Sequence, residues 1–437
     1  MKINAKYFIS LIIVVALTSN AIAQTLTLVE ARALTLSNNY GIQIQQLNSD
    51  ITALQNSAGY AGMLPTISAT AAYNTELTNS EQKYFSGDVR SVTNAGANAF
   101  DAGVYLNWTL FDGFAMFATR DKLNELAAKG ELQLKNEIEY TMYDLNAAWY
   151  QMIQLQEAAE VNKKNIEVSL ERYRIAKNRE TLGAASHLDV LQAEVDLHTD
   201  SASLMQTNLQ LKNTKAKINN LIGRDPATEF NSTEKITVNT DIIYSDVITK
   251  SIENNTELQI AKKDEAIYNL QVKEFKALLY PELNLTGGYG YLKSTSESGF
   301  VESNLNYGPS VGLSLNIPLF NGFTTSRNID IAQIGQQIVT TQTQQLQLDI
   351  NTWIYTLYNQ YSTSLALMEL EQRNIEAAQQ NVTIALAKFD LGNITSVELR
   401  EIQQALLNAQ NRLLVETLNA KLAELQLMKI SGQLPVN

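Results

Sequence analysis

The chain repeats itself, and this limits its fold more than any other feature. Leu36-Ser37-Asn38-Asn39-Tyr40 and Gln43-Ile44 realign with Ile252-Glu253-Asn254-Asn255-Thr256 and Gln259-Ile260 at an offset of 216, which also sets Pro65 on Pro281. Trp108-Thr109-Leu110-Phe111-Asp112-Gly113-Phe114 matches Ile317-Pro318-Leu319-Phe320-Asn321-Gly322-Phe323 at an offset of 209, which also pairs Gly183 with Gly392 and Gly223 with Gly432. The change of seven falls between the two blocks, where one loop is longer. Two copies of one unit, residues 24–223 and 244–432, thus fill almost all of the 437 residues, with a connector at 224–243 and a tail at 433–437.

Glycine and proline show how each copy is built. Between Glu131 and Ile222 the only glycine is Gly183, between Gln336 and Ser431 the only one is Gly392, and neither stretch contains proline. Such stretches predict uninterrupted helix on either side of one break. A helix of roughly 65 residues should run from each Phe-Asx-Gly turn to the break, about 100 Å at 1.5 Å per residue. Shorter helices should return over Leu188 to Ile222 and Val397 to Ser431, and others should precede the prolines at about 39–64 and 255–280.

The return helices carry two apolar rows. Val190, Leu197, Leu204, Leu211 and Ile218 recur every seven residues, and Leu399, Leu406, Leu413, Ala420 and Leu427 repeat the row in the second copy. Leu188, Leu191, Val195, Ala202, Met205, Leu209 and Ala216 run beside the first. Two seams on one helix imply a neighbour on each side, as in a cylinder of helices, although an ordinary bundle with a broad apolar face has the same pattern.

Between the helices lie four segments of period two, at about 66–77, 101–111, 282–292 and 307–318. Val104, Leu106, Trp108 and Leu110 alternate with Gly103, Tyr105, Asn107 and Thr109, and Val311, Leu313, Leu315 and Ile317 alternate with Ser310, Gly312, Ser314 and Asn316. About ten residues with one apolar face suit a transmembrane β-strand, with Trp108 at the membrane interface. In lipid no strand edge can stay open, and four strands are too few to close a barrel. Several chains must then share one barrel; two copies give eight strands, three give twelve, and these residues do not choose. Loops at about 78–100 and 293–306, rich in Asn, Ser and Gly, are expected at the hairpin tips.

Lys2 and Lys6, an apolar stretch from Tyr7 to Leu17 and the small residues of Ala21-Ile22-Ala23 predict a secretory signal peptide over 1–23. Its removal takes away two lysines and no acid, so the net charge goes from −12 to −14. A basic footprint for nucleic acid is missing. With no cysteine there are no thiolate metal sites, and no lipid attachment is expected at the cleavage point. His187 and His198 are eleven apart, about 16 Å along a helix and too far for one metal. No catalytic constellation, phosphate loop or cofactor motif is found, so an enzyme is not expected. The other scattered carboxylates read as solvated helix faces. Two classes fit: a channel through a membrane, or a structural coiled-coil protein of the periplasm or cell surface. The second leaves four alternating strands at equivalent positions unexplained.

In this order and duplication, the Asn-Asn segments, the hairpin prolines, the Phe-Asx-Gly-Phe turns and the glycine breaks resemble the TolC family of outer-membrane efflux proteins over essentially the whole mature chain. The resemblance implies a mixed, mainly α membrane protein. A transmembrane β-barrel, four strands per chain and closed by trimerisation, joins a long-helix periplasmic α-barrel, with an equatorial connector near the junction of the repeats. It also implies a homotrimer in the outer-membrane lipid of a Gram-negative-type cell. Such a trimer works with a periplasmic adaptor (membrane fusion) protein and an inner-membrane transporter, for efflux of small molecules or type I protein secretion.

The helical breaks then form the periplasmic entrance. By resemblance, Asp189 and Glu398, each six positions after a glycine, and Glu401 line it and favour cations. Asp189 also reads as a helix N-terminal acid with Ser186 as N-cap, and neither role hides the carboxylate. Leu182-Gly183 and Leu391-Gly392 match the turns that receive adaptor hairpins, and read equally as plain glycine turns between helices. Some members latch the entrance with a tyrosine and an arginine where this chain has Phe389 and Ile394, which cannot make the same bonds.

Overall fold

A computed structural model describes residues 24–298 and 301–435; the expected signal peptide at 1–23 and the last two residues of the tail lie outside them. The order is β1 (Gln24–Thr25), α1 (Leu28–Asn38), α2 (Tyr40–Gln55), β2 (Thr66–Lys83), β3 (Val89–Asp112), α3 (Ala115–Thr181) and α4 (His187–Ile222). There follow β4 (Phe230–Asn231), α5 (Tyr244–Asn254), α6 (Thr256–Ala277), β5 (Glu282–Ser296), β6 (Ser303–Asn316), α7 (Thr324–Asp390) and α8 (Ser396–Ile430). The chain is mainly helical, and α3 and α7 each hold 67 residues without a break.

The chain divides into two compact units, each drawing on both halves of the sequence: residues up to Gln45 with Leu134–Glu257 and Leu346–Asn437, and Gln46–Gln133 with Leu258–Gln345. The first unit is built on the inner faces of helices. Trp149 is fully buried in α3 and stacks on Phe230 at 6.0 Å, while its indole Nε1 donates to Glu234 Oε2 at 2.8 Å. The same carboxylate accepts from Leu28 N at 3.1 Å, and Arg32 Nη2 donates to Asn146 Oδ1 at 2.7 Å, so the connector and α1 are fastened to α3. On α4 the heptad row turns inward, with Val190 and Ile218 buried and Leu197, Leu204 and Leu211 partly buried. The second row does not: Leu188, Leu191, Val195, Met205 and Leu209 are exposed.

The second unit holds an antiparallel sheet of order β2-β3-β5-β6. Its register gathers the apolar positions on one face: Ile67 lies opposite Leu106, Ala69 opposite Val104, Trp108 opposite Leu285, and Leu285 opposite Leu313. The other face carries Ser68, Asn107, Thr286 and their neighbours. Pro309 sits in β6, an edge strand, where a missing N–H is tolerated. Among the described residues β2 and β6 each pair on one side only. No described helix is long and apolar enough to cross a membrane.

Two expectations change. The stretch at 78–100 is not a long loop, because β2 and β3 keep pairing to Lys83 and Val89 and leave a tip of 84–88 closed by Tyr84 N to Asp88 O at 2.9 Å. Likewise β5 reaches Ser296 and β6 starts at Ser303, so the second tip is shorter than 293–306. Polar residues pair along a ribbon as well as apolar ones, which is why the hydrophobic alternation ended before the strands did. Helix α2 stops at Gln55 rather than reaching Leu64, since Gly59 and the left-handed Gly62 (φ 77°) follow it.

Candidate functional site

The candidate entrance residues lie in the first unit, at two turns of like construction. After α3, Gly183 takes φ 71°, its N–H donates to Glu180 O at 2.9 Å, and Ala184 N reaches back to Arg179 O at 2.7 Å. After α7, Gly392 takes φ 79°, its N–H donates to Phe389 O at 3.0 Å, and Asn393 N to Lys388 O at 2.8 Å. This closure satisfies the last carbonyls of each helix and needs a left-handed residue after its end. Leu182 and Leu391, next to the glycines, are 81% and 75% exposed.

Each turn then feeds a capping box. Ser186 caps α4: Asp189 N donates to its Oγ at 3.3 Å, while Ser186 N and Oγ donate to Asp189 Oδ2 at 3.1 and 2.8 Å. Thr395 caps α8 in the same way, with Glu398 N on its Oγ1 at 3.2 Å and its N and Oγ1 on Glu398 Oε2 at 2.7 and 2.9 Å. The Thr-x-x-Glu spacing of the second box was open to sequence reading and escaped it. In both boxes the cap bonds fall on one carboxylate oxygen, so capping leaves the other lone pairs of the group to serve elsewhere. The Thr395 backbone N–H, and then its hydroxyl, hold the Glu398 carboxyl below the usual glutamate range.

Asp189 is half-buried, and Glu398 and Glu401 are exposed. Asp189 and Glu398 line one cleft together with Arg179, Phe389, Ile394 and Thr395. Phe389 is buried and packs with Ile175, Ala385 and Leu399, with Ile394 against them, so these positions form an apolar cluster. A cation is nevertheless present. Arg179, in the last turn of α3, donates from Nη1 to Phe389 O and from Nη2 to Ala184 O, both at 3.3 Å, with its guanidinium carbon 5.7 Å from the centre of the Phe389 ring. It thus joins the two turns within one chain. A basic residue in the last turn of a helix, where free carbonyls collect, was the available signal for it.

The remaining residues singled out in the sequence lie apart. His187 Nδ1 is 2.7 Å from Glu180 Oε1 and His198 Nε2 is 3.8 Å from Glu194 Oε1, each on the surface. Among the described residues no group of three or more His, Cys, Asp or Glu side chains could hold a metal. Trp108 belongs to the second unit, where its Nε1 donates to Met63 O at 2.9 Å and leaves the ring part-exposed beside the sheet's apolar face.

The model of the outer membrane efflux protein family matches the chain twice, over residues 31–224 and 247–433. The outer membrane efflux protein BepC of Brucella suis biovar 1 (strain 1330) is 24% identical over 343 residues, covering 76% of this chain and 72% of its own. Among solved structures, the outer-membrane channel OprN superposes with a TM-score of 0.79 at 16% identity, over 93% of this chain and 90% of that one. The Campylobacter jejuni CmeC outer membrane channel does so with a TM-score of 0.75 at 17% identity, over 93% and 85%. The two matched segments take in the four strands of the sheet, both glycine turns and the capping boxes of α4 and α8. The chain belongs to the outer membrane efflux protein family, and its place is the outer membrane.

Proposed function

We propose that the chain is one subunit of a homotrimeric export channel, passive in itself. A periplasmic adaptor protein links it to an inner-membrane transporter that supplies the energy. The observation that carries this reading is the four-stranded sheet with unpaired edges at β2 and β6 and one continuous apolar face. A sheet in lipid cannot leave backbone groups unbonded at an edge, so copies must pool their strands. The family resemblance favours three copies and twelve strands. The exposed apolar row on α4 supports the same assembly, because a second neighbour would cover it.

In this reading the repeats at 24–223 and 244–432 are equivalent wall segments flanking the connector at 224–243, and Trp108 marks the membrane interface. Asp189, Glu398 and Glu401 ring the periplasmic entrance, and Leu182, Gly183, Leu391 and Gly392 receive the adaptor. The name of BepC supports efflux; small molecules are the expected cargo, with proteins of a type I secretion system as the other class. Extraction of the outer-membrane fraction in mild detergent should give an oligomer that survives an unheated gel, collapses to the single chain on heating, and carries ions across planar bilayers. A water-soluble monomer that passes no ions would reject the proposal.

A further inference from the structure

The turns bearing Asp189 and Glu398 end two helical hairpins, α3 with α4 and α7 with α8. Ion pairs of two kinds lie behind them. Some close within one hairpin: Arg172 of α3 pairs with Asp196 of α4, and Arg412 of α8 with Glu371 of α7, at 2.7 Å from Nε to Oε1. Others cross from one hairpin to the other. Arg400 of α8 forks onto Asp200 of α4, Nη1 to Oδ2 at 2.8 Å and Nη2 to Oδ1 at 2.9 Å. One turn on, Gln403 Nε2 donates to Asn165 Oδ1 at 2.8 Å and Ser169 Oγ at 2.7 Å, both on α3.

The crossing fork belongs to a buried cluster, with Arg400 19% and Asp200 5% exposed in their side chains, and the hairpin pair of Arg172 and Asp196 is buried beside it. Asp200 is 4% exposed and takes a third bond from Ser169 Oγ at 2.5 Å. The neighbouring Arg172 is fully buried, with Nη2 on Asp196 and with Nε and Nη1 within hydrogen-bond reach of no acceptor, Asp200 included. Asp200 without Arg400 would keep the Ser169 hydroxyl and the nearby Arg172 charge but lose both bonds of the fork, which leaves a buried carboxylate under-compensated. Hydration relieves such a charge, and movement of α8 off α4 would admit water to it. Loss of Arg412 would also strand a buried carboxylate, Glu371, but that pair lies within one hairpin and holds nothing between the two.

We propose that the fork of Arg400 on Asp200 is a clamp that sets the spacing of the two hairpins, and so of the turns that carry the acidic residues. Arg400 is in this sense a positioning residue. Its effect on conduction rests on the channel reading above; its effect on spacing does not.

The sequence has no cysteine, so Leu182→Cys and Leu391→Cys place two spin labels on the turns of the full-length oligomer without competing thiols. Arg400→Ala should lengthen the label separation by about 5 Å, the scale of a one-turn helix shift, and raise bilayer conductance about two-fold. Arg412→Ala should leave both unchanged. Asp200→Asn with Arg400→Gln, which removes both charges together, should return the parent separation. Should Arg400→Ala fail to fold, Asp200→Asn alone gives the same comparison with a smaller widening. Unchanged separation in the variant that folds, or equal widening in Arg412→Ala, overturns the clamp. A parent protein that passes no ions overturns the channel reading instead, while the label distances still judge the clamp.

Discussion

Replacing Glu398 and Glu401 together with glutamine is expected to lower the cation preference of the oligomer in planar bilayers by about three-fold or more, since like charges around a narrow mouth focus potentials of several kT. Glutamine is the informative replacement. Glu398 has two tasks, closing the capping box on Thr395 and presenting charge, and a Ser/Thr-x-x-Gln box still caps a helix. The oligomer should therefore assemble and melt as the parent does while the reversal potential in a salt gradient moves toward zero. Acidification offers an independent check. Because Thr395 holds the Glu398 carboxyl below its usual range, the group keeps its charge as pH falls through the value of an ordinary glutamate. The cap bonds are fully present above that range and are lost as pH falls through the lowered folded value. The share of selectivity that Glu398 carries should persist below the ordinary glutamate range and fade only at more acidic pH. A reversal potential that is the same in parent and double variant would remove these residues from the entrance.

The long helices were legible because their signal is an absence. Nothing in residues 131–181 or 336–390 breaks a helix, and α3 and α7 run through both without interruption. The sheet face was legible where apolar residues alternate, and lost where Ser80 to Lys83, all polar, pair with Val89 to Val92. Short α1 and α5 were missed, although Thr27 and Glu30 spell out a capping box, with Glu30 N on Thr27 Oγ1 at 3.2 Å. The charges were misread most. A carboxylate on an amphipathic helix reads as solvated, yet Asp200, Glu139, Glu371 and Glu424 are buried, each beside a cation that the chain brings from a turn away or from another helix. Lys135 and Lys421 lie within a turn of Glu139 and Glu424 and could be read locally, but the partners of Asp200 and Glu371 come from other helices, which no local pattern records. Arg179 escaped for the same reason: its two acceptors, Phe389 O and Ala184 O, meet only when the turns do.

Two motifs found separately in the sequence are physical partners, and the contact between them predicts a large loss of stability. Gly223 ends α4 at φ 75°, and a Cβ built there would lie 2.7 Å from Asn38 O. Gly432 follows α8 at φ 67°, and its Cβ would lie 2.8 Å from Asn254 O. The Asn-Asn segments answer from the other side: Asn39 Nδ2 donates to Leu221 O and Asn255 Nδ2 to Ile430 O, each at 3.0 Å. The glycine lets one helix end approach the backbone between two others, and the asparagine amide satisfies a carbonyl that the end leaves free. Alanine at Gly223 or Gly432 meets both a left-handed backbone and a backbone oxygen that cannot swing aside, together worth roughly 3 kcal/mol or more. Gly183→Ala separates the two terms. It has nearly the same φ, 71°, but nothing within 4 Å of the added methyl, so it should cost only the conformational part, roughly 1 to 2 kcal/mol. Asn39→Ala and Asn255→Ala should fall between, at about 1 to 3 kcal/mol for a carbonyl left without its donor. Thermal melting followed by circular dichroism in detergent would rank them. If Gly223→Ala and Gly432→Ala melt no lower than Gly183→Ala, the close approach of these helix ends is not what the glycines are for.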